Sequence, residues 1–425
     1  MEYKKSNYNF FVPYNNNTIV FNSFSGAIGL LNEDTYNRYL GDSLSNEEID
    51  MLLKKGILVK NNFDELKLIN TDRRIGIKNS KIKVFRIWPT SACNANCYYC
   101  FEKGILSYSM SYDTAKDLLL YIDSILKNND SIQIEWFGGE PLLNTKIIDY
   151  LAEGLNKICK KKNCQIHSTM ISNGSLIDSI ILDKMVNDWK IENIQITLDG
   201  FGNYYNTTKA FSNPKYNFYS VVDSIVMLAE RKINVVIRMN YDTENYKTLL
   251  ELIDFLHEKL ATYSTIKYYV YPVWSSTAQN LESSFKSSTI ADDNLLSIFD
   301  KLVKYKMTSI RQVAKLAYKK RSCKAWNEYS FAIMPNGSIA KCCEAYTNTI
   351  GNIWDGVTDS ESFSYWTNDE LNLECKNCKF LPLCQGGCKA SKYSDIPRCY
   401  PFISIFDELL KWYVRHLQEV SGKND

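Results

Sequence analysis

No apolar run in the 425 residues approaches the roughly 18 that a membrane helix needs, so no membrane span is expected. Histidine is scarce, with three in the whole chain. Net charge is almost absent: 50 basic side chains against 48 acidic ones leave +2. That balance argues against a broad nucleic-acid footprint and makes nucleic acid an unexpected partner. The opening MEYKKSNYNFF has no apolar stretch before a small-residue cleavage site, so no secretory signal is expected and the chain reads as cytoplasmic. There is no internal repeat and no low-complexity segment.

What is present is an ordinary soluble composition, 45% hydrophobic and 23% charged, with an unusual 13 cysteines. Eleven of them fall in two regions, and in a cytosolic chain such clustering points to metal rather than to disulfides. Cys159 and Cys164 stand apart and read as small buried hydrophobes. His167 lies on a predicted strand and reads as structural.

Residues 1–75 read as a small separate domain. Asn9–Tyr14 and Thr18–Phe21 are short strands around an Asn15-Asn16-Asn17 turn, and Phe24–Leu31, with Gly26 and Gly29, is a third strand or a tight turn. Ser45 and Glu48 make a capping-box pattern before Ile49, Leu52 and Leu53 at helical spacing. Two helices and a few strands fit a winged-helix-like unit, and the polar stretch Thr71–Lys81 reads as a linker. From residue 83 to about 310, strands (Val84–Trp88, Ile132–Phe137, Gln165–Ile171, Ile194–Leu198, Val235–Asn240, Tyr268–Val273) alternate with helices such as Thr114–Leu126, Lys146–Cys159 and Leu249–Leu260. Six β-then-α units predict an α/β fold with a parallel sheet or partial barrel, whose ligands bind where strand C-termini open into loops. Residues 311–425 change character: a hairpin turns at Pro335-Asn336-Gly337, cysteines become dense, and Ile405–Leu417 is an amphipathic helix.

Cys93-x3-Cys97-x2-Cys100 follows the first strand of the α/β segment. Zinc usually takes four ligands, and no histidine lies nearby. A four-iron cluster held by three thiolates leaves one iron open to a small molecule, which accounts for the count of three. Gly138-Gly139-Glu140-Pro141 follows the second strand, Ser172-Asn173-Gly174 the third, Thr197-Leu198-Asp199-Gly200 the fourth, and Arg238-x-Asn240 ends the fifth. Taken singly, each could be an ordinary turn or ion pair. Together, these segments and Tyr99 before the last cysteine resemble the radical S-adenosylmethionine (radical SAM) enzymes over residues 83–310. The resemblance implies a partial (β/α)6 TIM-like barrel, a [4Fe-4S] cluster on Cys93, Cys97 and Cys100, and S-adenosylmethionine held by Tyr99, Gly138, Gly139, Glu140, Ser172, Asn173, Asp199 and Arg238. It also implies an external one-electron donor and a 5'-deoxyadenosyl radical that abstracts a hydrogen from the substrate. No side chain is singled out as catalytic.

The second group runs Cys323-x13-Gly337-x4-Cys342, then Cys375-x2-Cys378-x5-Cys384-x3-Cys388, then Cys399. This resembles the cysteine-rich SPASM extension of a subset of radical SAM enzymes, which implies two auxiliary [4Fe-4S] clusters and three in all. By that resemblance Cys375, Cys378, Cys384 and Cys399 hold the outer cluster, and Cys323, Cys342 and Cys388 the inner one. The inner set is one ligand short: either one iron is open to substrate, or Cys343 completes it. Two structural zinc sites are the plainer reading of these cysteines taken alone.

SPASM-type enzymes mostly modify peptides or proteins, and residues 1–75 resemble the PqqD-like leader-peptide recognition domain of peptide maturases. An exposed strand edge there could take up an extended leader by β-augmentation. The function implied is modification of a ribosomally made precursor peptide, with a thioether or other cross-link as product. The alternatives are an anaerobic sulfatase maturase, a group with aspartate where Cys343 stands, and a zinc-binding winged-helix regulator. Against DNA binding, Lys4, Lys5, Lys54 and Lys55 are offset by Glu33, Asp34, Glu47, Glu48 and Asp50.

Overall fold

A computed structural model describes residues 2–79, 81–242, 244–273, 292–318, 323–393, 399 and 401–421. The first 60 residues run β1 (Tyr3–Lys5), β2 (Asn9–Tyr14), β3 (Asn17–Asn22), β4 (Ile28–Asn32), α1 (Glu33–Leu40), α2 (Asn46–Lys54) and β5 (Leu58–Lys60). β2, β3 and β4 form an antiparallel sheet, and β1 pairs with β5. Asn15, at φ 51°, makes the two-residue turn between Tyr14 and Asn17, a left-handed position that asparagine tolerates. Ser45 and Glu48 form the expected capping box, each side chain accepting from the other's backbone N–H. Phe24–Leu31 holds both expected features, a turn at Gly26 and then β4.

The linker expected at Thr71–Lys81 is instead largely helix: α3 spans Glu65–Ile77 and is the third helix of this region. Asp64 caps it by accepting from the Lys67 N–H. Ile69, Arg73 and Ile77 lie four residues apart and form its buried stripe. The arginine in the middle of that stripe is what made the segment look solvent-facing.

The barrel segment runs β6 (Ile82–Ile87), α4 (Tyr112–Ile125), β7 (Ser131–Trp136), α5 (Thr145–Lys162), β8 (Gln165–Ser172), α6 (Ser179–Asn187), β9 (Ile191–Thr197), α7 (Gly202–Lys209), α8 (Phe218–Glu230), β10 (Asn234–Tyr241), α9 (Tyr246–Leu260) and β11 (Ile266–Pro272). Strands β6 to β11 are all parallel and lie in sequence order, as successive right-handed crossovers require. Alternation along each strand separates two faces. Phe85, Ile87, Ile132, Ile134, Ile194, Ile196, Val235 and Ile237 are buried in the main core. Their alternates Arg86, Glu135, Gln195, Thr197 and Arg238 line a cavity on the other face. A closed barrel would pack that inner face with aliphatic side chains; this open sheet keeps it polar.

Beyond it come α10 (Asp293–Lys304), α11 (Ile310–Tyr318), β12 (Ser330–Ile333), β13 (Ser338–Ala340), β14 (Thr349–Asn352), β15 (Gly356–Val357), α12 (Ser360–Thr367), α13 (Leu373–Lys376), α14 (Leu381–Cys384) and α15 (Phe406–Ser421). β12 joins the parallel sheet beside β6, and β13–β15 extend it as an antiparallel meander to ten strands. The hairpin between β12 and β13 is as expected, with Gly337 at φ 83°. α15 returns to the N-terminal sheet, where Phe406 and Phe380 each meet Phe10 at a ring distance of 4.8 Å. Cys159 is buried as expected, whereas Cys164 is only half-buried, its sulfur 3.3 Å from the Lys127 carbonyl. His167 is on β8, within 3.1 Å of Glu192. Among the described residues no helix is long and apolar enough to cross a membrane.

Candidate active site and cysteine clusters

The loop after β6 is closed on itself. Thr90 bridges Ser109, and the Ser91 N–H donates to the Tyr108 carbonyl at 3.0 Å, so residues 90–109 form a tied loop carrying Cys93, Cys97 and Cys100. The loop after β7 supports it backbone to backbone. A Cβ on Gly138 would lie 2.3 Å from the Thr90 carbonyl oxygen, and one on Gly139 would lie 2.2 Å from that of Ala92. Glycine is the residue that permits this approach. The Glu140 N–H then donates to the Ala92 carbonyl at 2.8 Å.

Glu140 is fully buried. One carboxylate oxygen accepts from the Leu142 N–H at 3.1 Å and the Ser172 hydroxyl at 2.9 Å; the other accepts from the Asn173 N–H at 2.7 Å. Burial pushes its pKa up to about 7, opposed by those three donors. Glu140 thus pins the ends of β7 and β8 together. Asn173 reaches the cysteine loop, donating to Asn94 at 2.8 Å and lying 3.9 Å from the Cys93 sulfur.

A second buried cluster holds the loop's far side. Asp199 accepts from Tyr99 at 2.7 Å, from Lys209 at 2.9 Å and from Asn240 at 2.9 Å. Lys209 is 3% exposed, and its carbonyl accepts the Asn96 N–H at 2.8 Å, so the end of α7 grips the loop by side chain and backbone. Burial raises the Tyr99 pKa well above its usual range, with Asp199 adding to it. Arg238 donates to Asn240 at 2.7 Å and stacks over Tyr271 at 5.5 Å.

Tyr99, Arg238 and Asn240 of the second group reach a cavity of about 330 Å³ whose wall also includes Arg86, Cys100, Glu135 and Cys343, whereas Gly138, Gly139, Glu140, Ser172, Asn173 and Asp199 lie outside its lining. Arg86 pairs with Glu135 at 2.9 Å, Lys324 pairs with the other oxygen of Glu135 at 3.0 Å, and Arg86 donates to the Cys343 sulfur at 3.1 Å. The Cys343 thiol is held below its ordinary range, first by its hydrogen bond with Cys342 and then by Arg86. Cys343 therefore faces the barrel cavity, while Cys323, Cys342 and Cys388 each pack against the main core. Sequence reasoning did not single out Arg86, Glu135, Lys209 or Lys324. A charge inside a buried parallel strand, as in Val84-Phe85-Arg86-Ile87, was the available signal.

The remaining cysteines lie in the C-terminal segment. Cys375 packs with Ile69 and Leu381, Cys384 is buried, the Cys378 N–H donates to the Cys375 carbonyl, and Cys399 is exposed. Among the described residues no three His, Cys, Asp or Glu side chains converge on a single-ion site. A four-iron cluster makes a different demand, one thiolate at each of several corners.

Residues 87–256 match the Radical SAM superfamily. This segment is a radical SAM domain. The group such a domain implies is a [4Fe-4S] cluster with S-adenosylmethionine, and the donor set fits it: three thiols on one tied loop, with Cys100 already in the wall of the polar cavity. An uncharacterized protein of Methanocaldococcus jannaschii is 28% identical over 181 residues, which are 43% of this chain and 59% of that protein. The radical SAM cyclopropyl synthase TigE of Paramaledivibacter caminithermalis is 21% identical over 406 residues, 85% of this chain and 81% of TigE. A cysteine-type anaerobic sulfatase-maturating enzyme of Clostridium perfringens is 24% identical over 344 residues, 72% of this chain and 88% of the enzyme. Among solved structures, anSMEcpe with bound AdoMet and Cp18Cys peptide aligns with a TM-score of 0.61 and 19% identity, covering 81% of this chain and 100% of that one. Streptococcus suis SuiB bound to precursor peptide SuiA aligns with a TM-score of 0.52 and 17% identity, covering 91% of this chain and 95% of that one. The fold is therefore shared with both structures.

Proposed function

We propose that this chain is a cytoplasmic radical SAM maturase of a ribosomally made precursor peptide. The observation that carries the reading is coverage: the likeness to SuiB takes in 91% of the chain and so extends into the first 75 residues, against 81% for anSMEcpe. Cys93, Cys97 and Cys100 would hold the cluster, which when bound with S-adenosylmethionine would supply the radical chemistry that takes a hydrogen atom from a peptide carbon. The chain's own residues do the rest. Gly138, Gly139, Glu140, Ser172 and Asn173 fix the loop and the strand ends that flank the cofactor. Tyr99 and Arg238, in the cavity wall, would contact it, and Asp199 holds Tyr99 in place. The Arg86–Glu135–Lys324 pairs brace the cavity wall and keep Cys343 in it, where the peptide would react.

Cys375, Cys378, Cys384 and Cys399 would hold an outer auxiliary cluster, and Cys323, Cys342 and Cys388 an inner one, whose set of three would leave room for a substrate thiolate. A thioether is accordingly the expected product. β4 pairs with β3 and lies at the edge of the N-terminal sheet, which suits leader uptake by β-augmentation. An external donor supplies electrons.

The second reading is a sulfatase maturase, favoured by the likeness to the C. perfringens enzyme. The test offers the reconstituted enzyme, S-adenosylmethionine and dithionite two substrates: the peptide encoded by the short reading frame beside the gene, and a sulfatase-derived cysteine peptide. Loss of two hydrogens from the first, with the second unchanged, supports the proposal. The opposite outcome replaces it with the second reading.

A further inference from the structure

The buried stripe of α3 contains a charge whose N–H groups are only partly satisfied. Arg73 is 4% exposed, and its Nε and Nη1 have no hydrogen-bond partner. Its guanidinium lies over the Trp326 ring at 5.9 Å. Arginine cannot escape the cost of burial by losing its proton, and an unpaired buried charge is strongly unfavourable. The neighbouring carboxylate, Asp369, is engaged by Arg74.

What faces Arg73 is the cysteine-bearing turn. A Cβ on Gly386 would lie 3.5 Å from Nη1 and 3.7 Å from Nη2. Gln385, Gly386 and Gly387 all have positive φ, bending the chain between Cys384 and Cys388 around the guanidinium. Ile69, one turn earlier on α3, packs with Leu381 and Cys375. Burial lowers the Arg73 pKa, and Asp369 first, then Cys375 and Cys384, act on it electrostatically in the opposite direction.

We propose that Arg73 is the counter-cation of the outer metal–thiolate cluster held by Cys375, Cys378, Cys384 and Cys399. This rests on the reading of those cysteines as an auxiliary-cluster site. Four thiolates on a four-iron core leave a net negative charge, and a guanidinium with open N–H groups supplies both the matching charge and donors to the sulfurs. One consequence reaches the N-terminal region. α3 is fastened to the C-terminal segment by the Arg74–Asp369 pair, by Lys78–Glu328 at 3.1 Å and by Asn327 donating to the Gly76 carbonyl at 3.2 Å. Metal loading, by neutralising Arg73, completes that seat, so the helix that follows the N-terminal sheet is set in place by the cluster.

The test compares wild type, Arg73→Met and Arg73→Lys, each as full-length protein, anaerobically loaded and metal-stripped. Iron and zinc are counted, melting temperature is measured in both states, and auxiliary-cluster potentials are read by EPR titration. In the stripped protein Arg73→Met should melt at or above wild type, because a buried charge has gone. In the loaded protein it should melt several degrees lower and move one auxiliary potential to more negative values, with Arg73→Lys restoring most of both. An equal loss of melting temperature in both states, with potentials unchanged, would make Arg73 a packing residue and overturn the proposal. A wild type with four irons and no zinc removes the anion and overturns it as well. Zinc in place of the auxiliary iron would end the cluster reading alone, and the difference between loaded and stripped melting would still decide the role of Arg73.

Discussion

Gly139→Ala tests whether the β7 loop is the support on which the cysteine loop is built. The new Cβ would lie 2.2 Å from the Ala92 oxygen, 2.5 Å from its carbonyl carbon and 2.6 Å from the Ser91 oxygen. Ordinary carbon–oxygen contact is a little over 3 Å, so one backbone must retreat by about 1 Å. Neither side can yield by rotating a side chain. Overpacking of this kind costs about 1–3 kcal/mol. Loss of the Glu140 N–H bond to the Ala92 carbonyl adds about 1 kcal/mol, for a total of about 2–4 kcal/mol. Cys93 follows Ala92 directly, so the retreat moves the first thiol. A displacement of about 1 Å at a reacting centre can cost about 100-fold in rate. The assay is iron content with 5'-deoxyadenosine formation under dithionite, with Gly76→Ala as control, since that position on α3 meets nothing within 4 Å. The variant should lose cluster occupancy or at least tenfold in cleavage rate while the control matches wild type. Wild-type occupancy and rate in Gly139→Ala would refute the reasoning.

The other expectations follow from single contacts. Glu140→Gln must set an amide NH₂ against either the Asn173 N–H or the two donors on the other oxygen, so it should lose about 1–3 kcal/mol in chemical denaturation. The folded carboxyl keeps its proton up to about pH 7, against 4.5 for the free group. The folded state therefore binds more protons between those values, and the metal-free protein should lose stability as pH rises through that window, a slope that Glu140→Gln removes. Cys343→Ala should retain iron and form 5'-deoxyadenosine at the wild-type rate, yet yield little modified peptide by mass spectrometry, because the thiol lines the cavity wall. Leu30→Lys on the β4 edge should weaken precursor binding about tenfold, about 1.4 kcal/mol, in fluorescence anisotropy and leave cofactor cleavage unchanged.

The parallel strands were legible because each carries apolar residues at alternate positions bounded by turn residues, and the site was legible where its chemistry sits at strand ends. Cys93, Gly138, Ser172 and Asp199 all proved to follow or end successive strands. Three things were not legible. α3 hid behind Arg73, a charge on the buried face that reads as solvent-facing until a counter-charge is in view. Arg86 and Glu135 sit on faces that alternation alone leaves undecided between packed core and polar cavity. Lys209 ends a short polar helix, and only the folded chain brings it onto Asp199. The three-helix packing also matters for any truncation: a cut at residue 75 would fall within the buried stripe of α3 and expose its contacts with Leu381 and Trp326.

The most direct measurement is reductive cleavage of the cofactor. Anaerobically reconstituted wild type and a Cys93→Ala/Cys97→Ala/Cys100→Ala variant are given S-adenosylmethionine and dithionite, and 5'-deoxyadenosine and iron are quantified. Wild type should bind about twelve irons and form 5'-deoxyadenosine. The triple variant should form none while keeping the irons of the C-terminal cysteines. Undiminished 5'-deoxyadenosine from the triple variant, or none from iron-replete wild type, would contradict the account.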